Sequence, residues 1–183
     1  MAPADLGREQ ALVRRRSAKA IALTALVCTA SVLWPPALVT GADGLASRLA
    51  LGVHTTLPHL LCVLVGLRMV SSGRYRSQAD IGGAAAGPPS AALAVKAAFL
   101  QNTLEQAFVA FGSHLLLASI ADGRWLGLLT ASAVLFPVGR LLFYRGYAGG
   151  AGSRAFGMAL TALPPIVCLG AAVVIGCVRL FGG

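Results

Sequence analysis

Charge is scarce in this 183-residue chain. Asp, Glu, Lys and Arg make up 11% of it, and only six residues are acidic. Soluble domains carry about a quarter charged residues, so a globular fold with a solvated surface all round is excluded. Metal-binding spacing is also missing. Cys28, Cys62, Cys168 and Cys177 each lie inside an apolar run, with no CxxC pair, and they read as small hydrophobes in helices. Almost no sequence is left over for a soluble domain. The formal charge of +9 does not point to nucleic acid. The basic residues sit at the ends of apolar runs, where they set topology and meet anionic headgroups.

What fills the chain instead is apolar sequence. Hydrophobic residues account for 57%, in runs long enough to cross a bilayer, and Gly reaches 22, as close helix packing in membranes favours. The pattern predicts an all-α, polytopic transmembrane bundle of five helices. Residues 1–17 read as a flexible basic tail ending in Arg14-Arg15-Arg16. An apolar run over 18–40 follows, broken near its end by Trp34-Pro35-Pro36. Its length and the lack of a small-x-small cleavage site favour a retained first helix over a signal peptide.

The second run spans 49–70 and holds His54, Pro58 and His59. The histidines are five residues apart, off a common helix face, so a kinked helix with hydrogen-bonded histidines is predicted and a metal site is not. Residues 71–90 form the longest loop, closed by Pro88-Pro89-Ser90 as a helix start. A third helix covers 91–120, a tight turn falls at Asp122-Gly123-Arg124-Trp125, and a fourth helix covers 126–147. A linker over 148–154 leads to a last helix over 155–181, where Pro164-Pro165 predicts a bend. Five spans put Arg8, Arg14, Arg15, Arg16, Lys19, Arg68, Arg74, Arg76, Lys96, Arg140, Arg145 and Arg154 on one side. Only Arg48, Arg124 and Arg179 fall on the other. That bias predicts a cytoplasmic N-terminus and an outside C-terminus.

One stretch does not belong in hydrocarbon. Gln101, Asn102, Glu105 and Gln106 stand in the middle of the third helix. An ionised Glu105 facing lipid costs several kcal/mol, so it is expected to face inward, pair with a base or stay protonated. Arg140 on the fourth helix is the natural partner. Arg140 and Tyr147 are seven apart, Arg140 and Tyr144 four apart, and Arg154 opens the last helix. Together they predict a basic, amide-lined, tyrosine-rimmed cleft near the cytoplasmic leaflet. Arg donates fork-shaped pairs to carboxylates, amides match amides, and an arginine beside a thiol stabilises the thiolate. Such a cleft suits an anionic, peptide-like molecule with several carboxylates. The alternative is that Asn102, Glu105 and Arg140 only glue helices together.

Two motifs give a resemblance. Asn102-Thr103-Leu104-Glu105 and the series Gly139-Arg140, Phe143-Tyr144-Arg145-Gly146-Tyr147 and Arg154 resemble the membrane-associated proteins in eicosanoid and glutathione metabolism, the MAPEG family, over roughly 50–181. The resemblance implies a four-helix bundle over 49–181, preceded here by one additional N-terminal helix of a kind found in some bacterial relatives, and so a bacterial inner-membrane protein. It implies a homotrimer in which Asn102, Glu105, Arg140 and Tyr147 hold glutathione, with Tyr144 on the rim of the same site. Arg154 then activates the thiol, and lipophilic substrates arrive from the bilayer. The expected activity is a glutathione-dependent transferase or peroxidase acting on lipophilic electrophiles. The sequence departs from the family pattern at Ala98, Gln106 and Leu142, where catalytic members usually carry Arg, Tyr and Arg, and the motif's aromatic is Phe143; these departures remove several donors for glutathione carboxylates. The alternatives are a non-catalytic member in which Glu105 and Arg140 brace the bundle, and a small proton-coupled carrier using Glu105. The carrier ranks last for want of an inverted repeat.

Overall fold

The computed structural model describes residues 6–182. It is all-α. The seven α-helices among the described residues are α1 (Leu6–Leu33), α2 (Ala37–Thr40), α3 (Leu45–His54), α4 (Leu57–Tyr75), α5 (Ala91–Ile120), α6 (Gly127–Arg145) and α7 (Gly150–Phe181). Among the described residues five segments are long and apolar enough to cross a membrane, with α3 and α4 together making the second. The architecture is a four-helix bundle with one further helix, α1, laid against α7 and α6.

The first span starts earlier than the apolar run. Residues 6–17, expected to be a flexible tail, form the opening turns of α1. Leu12 packs on Gly152 of α7, and Glu9 and Arg16 bond to the same residue. The helix ends at Leu33, where Trp34 and two prolines halt it. The second span breaks at Thr55-Thr56, with Pro58 in the first turn of α4 where its missing N–H costs nothing. By contrast α7 continues as one helix through Pro164 and Pro165, both buried. The expected 148–154 linker shrinks, because α6 ends at Arg145, a single turn of 3-10 helix covers Tyr147–Gly149, and α7 begins at Gly150.

Of the five spans, the α6 segment is the most enclosed and α1 the least. The crossing of α6 on α7 is close. A Cβ on Gly157 would collide with the backbone nitrogen of Phe143, and one on Gly139 would sit 3.0 Å from the Gly157 carbonyl oxygen. Without side chains the two backbones touch, which is how membrane helices associate when lipid is as apolar as their own surfaces. This crossing sets Arg140, one residue past Gly139, directly against α7.

Each end of the bundle is tied by an aspartate. The α4–α5 loop is held by Asp80, which accepts from Ser77 Oγ (2.6 Å), Ser90 N (2.8 Å) and Ser90 Oγ (2.7 Å). Ser90 Oγ in turn caps α5 by accepting from Leu93 N. At the other end Asp122 pairs with Arg179 at 3.1 Å and with Arg48 at 3.9 Å.

Candidate functional site

Arg140 is the largest side chain in the fully buried interior, at 2% exposure. Its Nη1 donates to Asn102 Oδ1 at 2.6 Å, and its Nη2 donates to Thr161 Oγ1. The guanidinium thus joins α5, α6 and α7. Its Cζ lies 4.6 Å from the centre of the Phe143 ring and 5.6 Å from that of Phe136. All of these partners are neutral. Among the described residues no salt bridge involves Arg140, and Arg140 Nε is buried with no hydrogen-bond partner. A buried charge without a counter-charge costs several kcal/mol.

The Glu105–Arg140 pair expected from the sequence is not formed. Glu105 lies on the exposed side of α5, where its Oε1 accepts from Gln101 Nε2 at 2.8 Å. Asn102 takes the inward place. Three residues turn a helix by about 300°, so Asn102 and Glu105 point apart by about 60°. The line of the crossing with α6 selects Asn102. Gln106 is half-buried and Ala98 exposed.

The aromatic residues join the two arginines. Phe143 packs edge-on against Tyr147 (5.7 Å between ring centres), and Arg154 Cζ lies 4.7 Å from the centre of the Tyr147 ring. Arg140, Phe143, Tyr147 and Arg154 therefore form one continuous stack of cations and rings. Tyr144 leaves this line. It packs on Phe99 of α5 (5.2 Å) and borders an open, mostly apolar groove that Cys62, Met69 and Arg140 also line. Of the residues expected at the site, the structure brings Asn102, Arg140, Tyr147 and Arg154 into one connected array. Tyr144 stands beside it, and Glu105 faces outward.

Sequence reading missed Thr161 and Cys62. Thr161 belongs to an apolar run and gives no motif. Its hydroxyl donates to the helix's own carbonyls at Gly157 (3.1 Å) and Met158 (2.8 Å), which leaves its oxygen free to accept from Arg140. Also missed was His114. His59 Nε2 lies 3.2 Å from Ser132 Oγ, and His114 Nδ1 lies 3.1 Å from Thr55 Oγ1. The Thr55 hydroxyl donates to the Leu51 and Gly52 carbonyls, so it accepts from His114 Nδ1–H. The two rings meet edge to face at 5.1 Å, and His59 packs on Phe136 at 4.2 Å. His59 is hydrogen-bonded as expected, whereas His54 is exposed. Among the described residues no cluster of three or more His, Cys, Asp or Glu side chains is placed to hold a metal.

A bundle of membrane-spanning helices around a buried arginine with an amide partner defines an integral membrane protein with a polar interior site. The MAPEG family profile matches residues 49–174, well over half of the chain, and the protein belongs to that family. The match begins after α1 and α2, so α1 is additional to it. No curated protein and no solved structure matches the chain.

Proposed function

We propose that this protein is a glutathione-dependent transferase or peroxidase acting on lipophilic electrophiles that reach it from the bilayer. The observation that carries the reading is Arg140. A guanidinium buried among neutral partners, with Nε unbonded and a groove beside it, is suited to a carboxylate of a peptide-like ligand. Arg140 would hold that carboxylate, with Asn102 matching an amide, and Tyr144 and Tyr147 closing the aromatic sides. Arg154, stacked on Tyr147, would stabilise the thiolate by its positive charge. Glutathione supplies the thiol. The chain's part is to orient it and hold its negative charge.

The outward Gln101–Glu105 pair supports a homotrimer. A carboxylate and an amide on a lipid-facing surface are costly. A neighbouring copy seated on this face of α5 would cover them and place Glu105 at a site shared between subunits. We propose that the end carrying Arg14, Arg15, Arg16 and Arg145 is cytoplasmic and that the protein resides in a bacterial inner membrane. Residues 18–40 would then be an additional span before a family domain over 49–181.

A second reading has its own support. The Asn102–Arg140–Thr161 bonds tie three helices together, as a non-catalytic brace would, although without Glu105. Calorimetry on detergent-solubilised protein separates the two. Saturable glutathione binding with thiolate absorbance is expected, and Arg154→Ala should keep the binding and lose the absorbance. Absence of binding at millimolar glutathione would refute the enzyme reading and leave the brace.

A further inference from the structure

The helix that precedes the family domain builds a site of its own. Near its start α1 grips one residue of α7 from both sides. Glu9 Oε2 accepts from Gly152 N at 2.7 Å, and Arg16 Nη1 donates to Gly152 O at 3.2 Å. The carboxylate thereby satisfies one of the free N–H groups in the first turn of α7 and complements the positive end of that helix. Docked this way, α1 forms one side of an open groove against α6 and α7.

The groove is layered. Arg16 and Lys19 of α1, Arg145 at the end of α6 and Ser153 of α7 form its outer layer. Leu142 and Phe156 also line it. Each lies one turn further into the membrane than Arg145 and Ser153 respectively, and both pack against the buried cluster of Ala20, Leu135 and Leu160. Among the described residues no acidic side chain lines it, and Glu9, the carboxylate at the grip, is occupied by Gly152. Gly146, Gly149 and Gly157 leave its floor bare.

We propose that this groove binds an anionic phospholipid. Its phosphate would seat between Lys19, Arg145 and the free edge of Arg16, with the Ser153 hydroxyl as a further donor, and an acyl chain would lie along Leu142 and Phe156. A cationic layer above an apolar one matches an amphiphile and gives a soluble phosphate no use for the lower half. Basic pockets between membrane helices at headgroup depth recognise such lipids. Two of the three cations come from α1, outside the family match, so the site belongs to this chain's addition. It is independent of the glutathione reading.

The test uses the full-length protein, stripped of lipid in a neutral detergent. Thermal unfolding is followed while short-chain phosphatidylglycerol, short-chain phosphatidylcholine or inorganic phosphate is titrated in. Phosphatidylglycerol should raise Tm saturably, and the other two should not. Lys19→Ala with Arg145→Ala should weaken the phosphatidylglycerol response roughly thirtyfold, since each cation near an anionic headgroup contributes about a factor of five. Arg74→Ala with Arg76→Ala removes the same charge from the α4–α5 end and should leave the response unchanged. Equal weakening in both double variants would overturn the site in favour of diffuse electrostatics. An equal Tm rise with inorganic phosphate would overturn the lipid assignment.

Discussion

Two buried polar stations lie on either side of Phe136, and they are built differently. On one side His59 and His114 sit among hydroxyls, with Ser132 on the first and Thr55 on the second. On the other, Arg140 brings a full charge to Asn102 and Thr161. The Phe136 ring touches both, 4.2 Å from the His59 ring and 5.6 Å from Arg140 Cζ. One nitrogen of each histidine ring is paired, while His59 Nδ1 and His114 Nε2 are buried without a partner, and hydrogen-bonded pairs of this kind are ordinary helix glue that contributes on average about 0.6 kcal/mol each in membranes. A lone guanidinium is poor glue, because amide and hydroxyl partners return only part of what its desolvation costs. The proposed function makes the first a station that only holds helices together and the second one retained for an anion.

The largest effect expected from this contrast is at Arg140. Arg140→Met keeps much of the volume and removes the charge. If the cation serves a ligand, the variant should lose no more than about 1 kcal/mol of stability, since removing an unpaired buried charge offsets the acceptor left bare at Asn102. Its glutathione affinity should fall by 1.5–3 kcal/mol for each charged hydrogen bond lost, or about 10- to 150-fold. Paired Tm and calorimetry measurements decide it. A Tm that drops steeply while ligand affinity holds would make Arg140 a brace and erase the distinction between the stations.

The histidine station should show the opposite pattern at smaller scale. Thr55→Val is close to isosteric and takes away the acceptor of His114 Nδ1–H. It should cost about 1 kcal/mol of stability, the low end for a buried polar group left unpaired, and leave glutathione affinity unchanged. Loss of affinity in this variant would mean that the two stations are coupled through Phe136 and that their separation is only apparent.

The number and order of spans were readable in the sequence because hydrocarbon thickness dictates run length, and no packing detail alters it. The nearness of Arg140, Tyr147 and Arg154 to one another was readable because their spacing survives in the stack of rings that joins them. The partner of Arg140 was not. Asn102 and Glu105 are both within reach of α6 by spacing, and the α6–α7 contact at Gly139 and Gly157 fixes which one meets the guanidinium. That contact joins parts of the chain remote in sequence and has no local signature. The grip of Glu9 on Gly152 is less readable still, because 143 residues separate the partners. A polar stretch before an apolar run reads as a tail until α7 is there to bond it.

Asp80 carries the contrast outside the membrane, with the smallest expected effect. It too is a charged group held by neutral hydrogen-bond donors, with the Arg74 charge a smaller contribution. Hydrogen bonds from the Ser77 hydroxyl, the Ser90 amide and the Ser90 hydroxyl, in that order, hold its carboxyl below the usual carboxylate range. The folded protein therefore binds this proton less readily than the unfolded chain does. The resulting stabilisation is complete above the ordinary carboxylate pKa of about 4 and is lost as pH falls through the lower folded value. Asp80→Asn keeps a carbonyl acceptor but has no charge to titrate. Thermal unfolding of both proteins from neutral pH downward should therefore show the wild type ahead at neutral pH and the two converging below about pH 4. A gap that stays constant to the lowest pH would mean that the carboxylate charge contributes nothing to the staple. Neutral donors would then suffice for a charge near water, and Arg140, out of reach of water, would be the station where they do not.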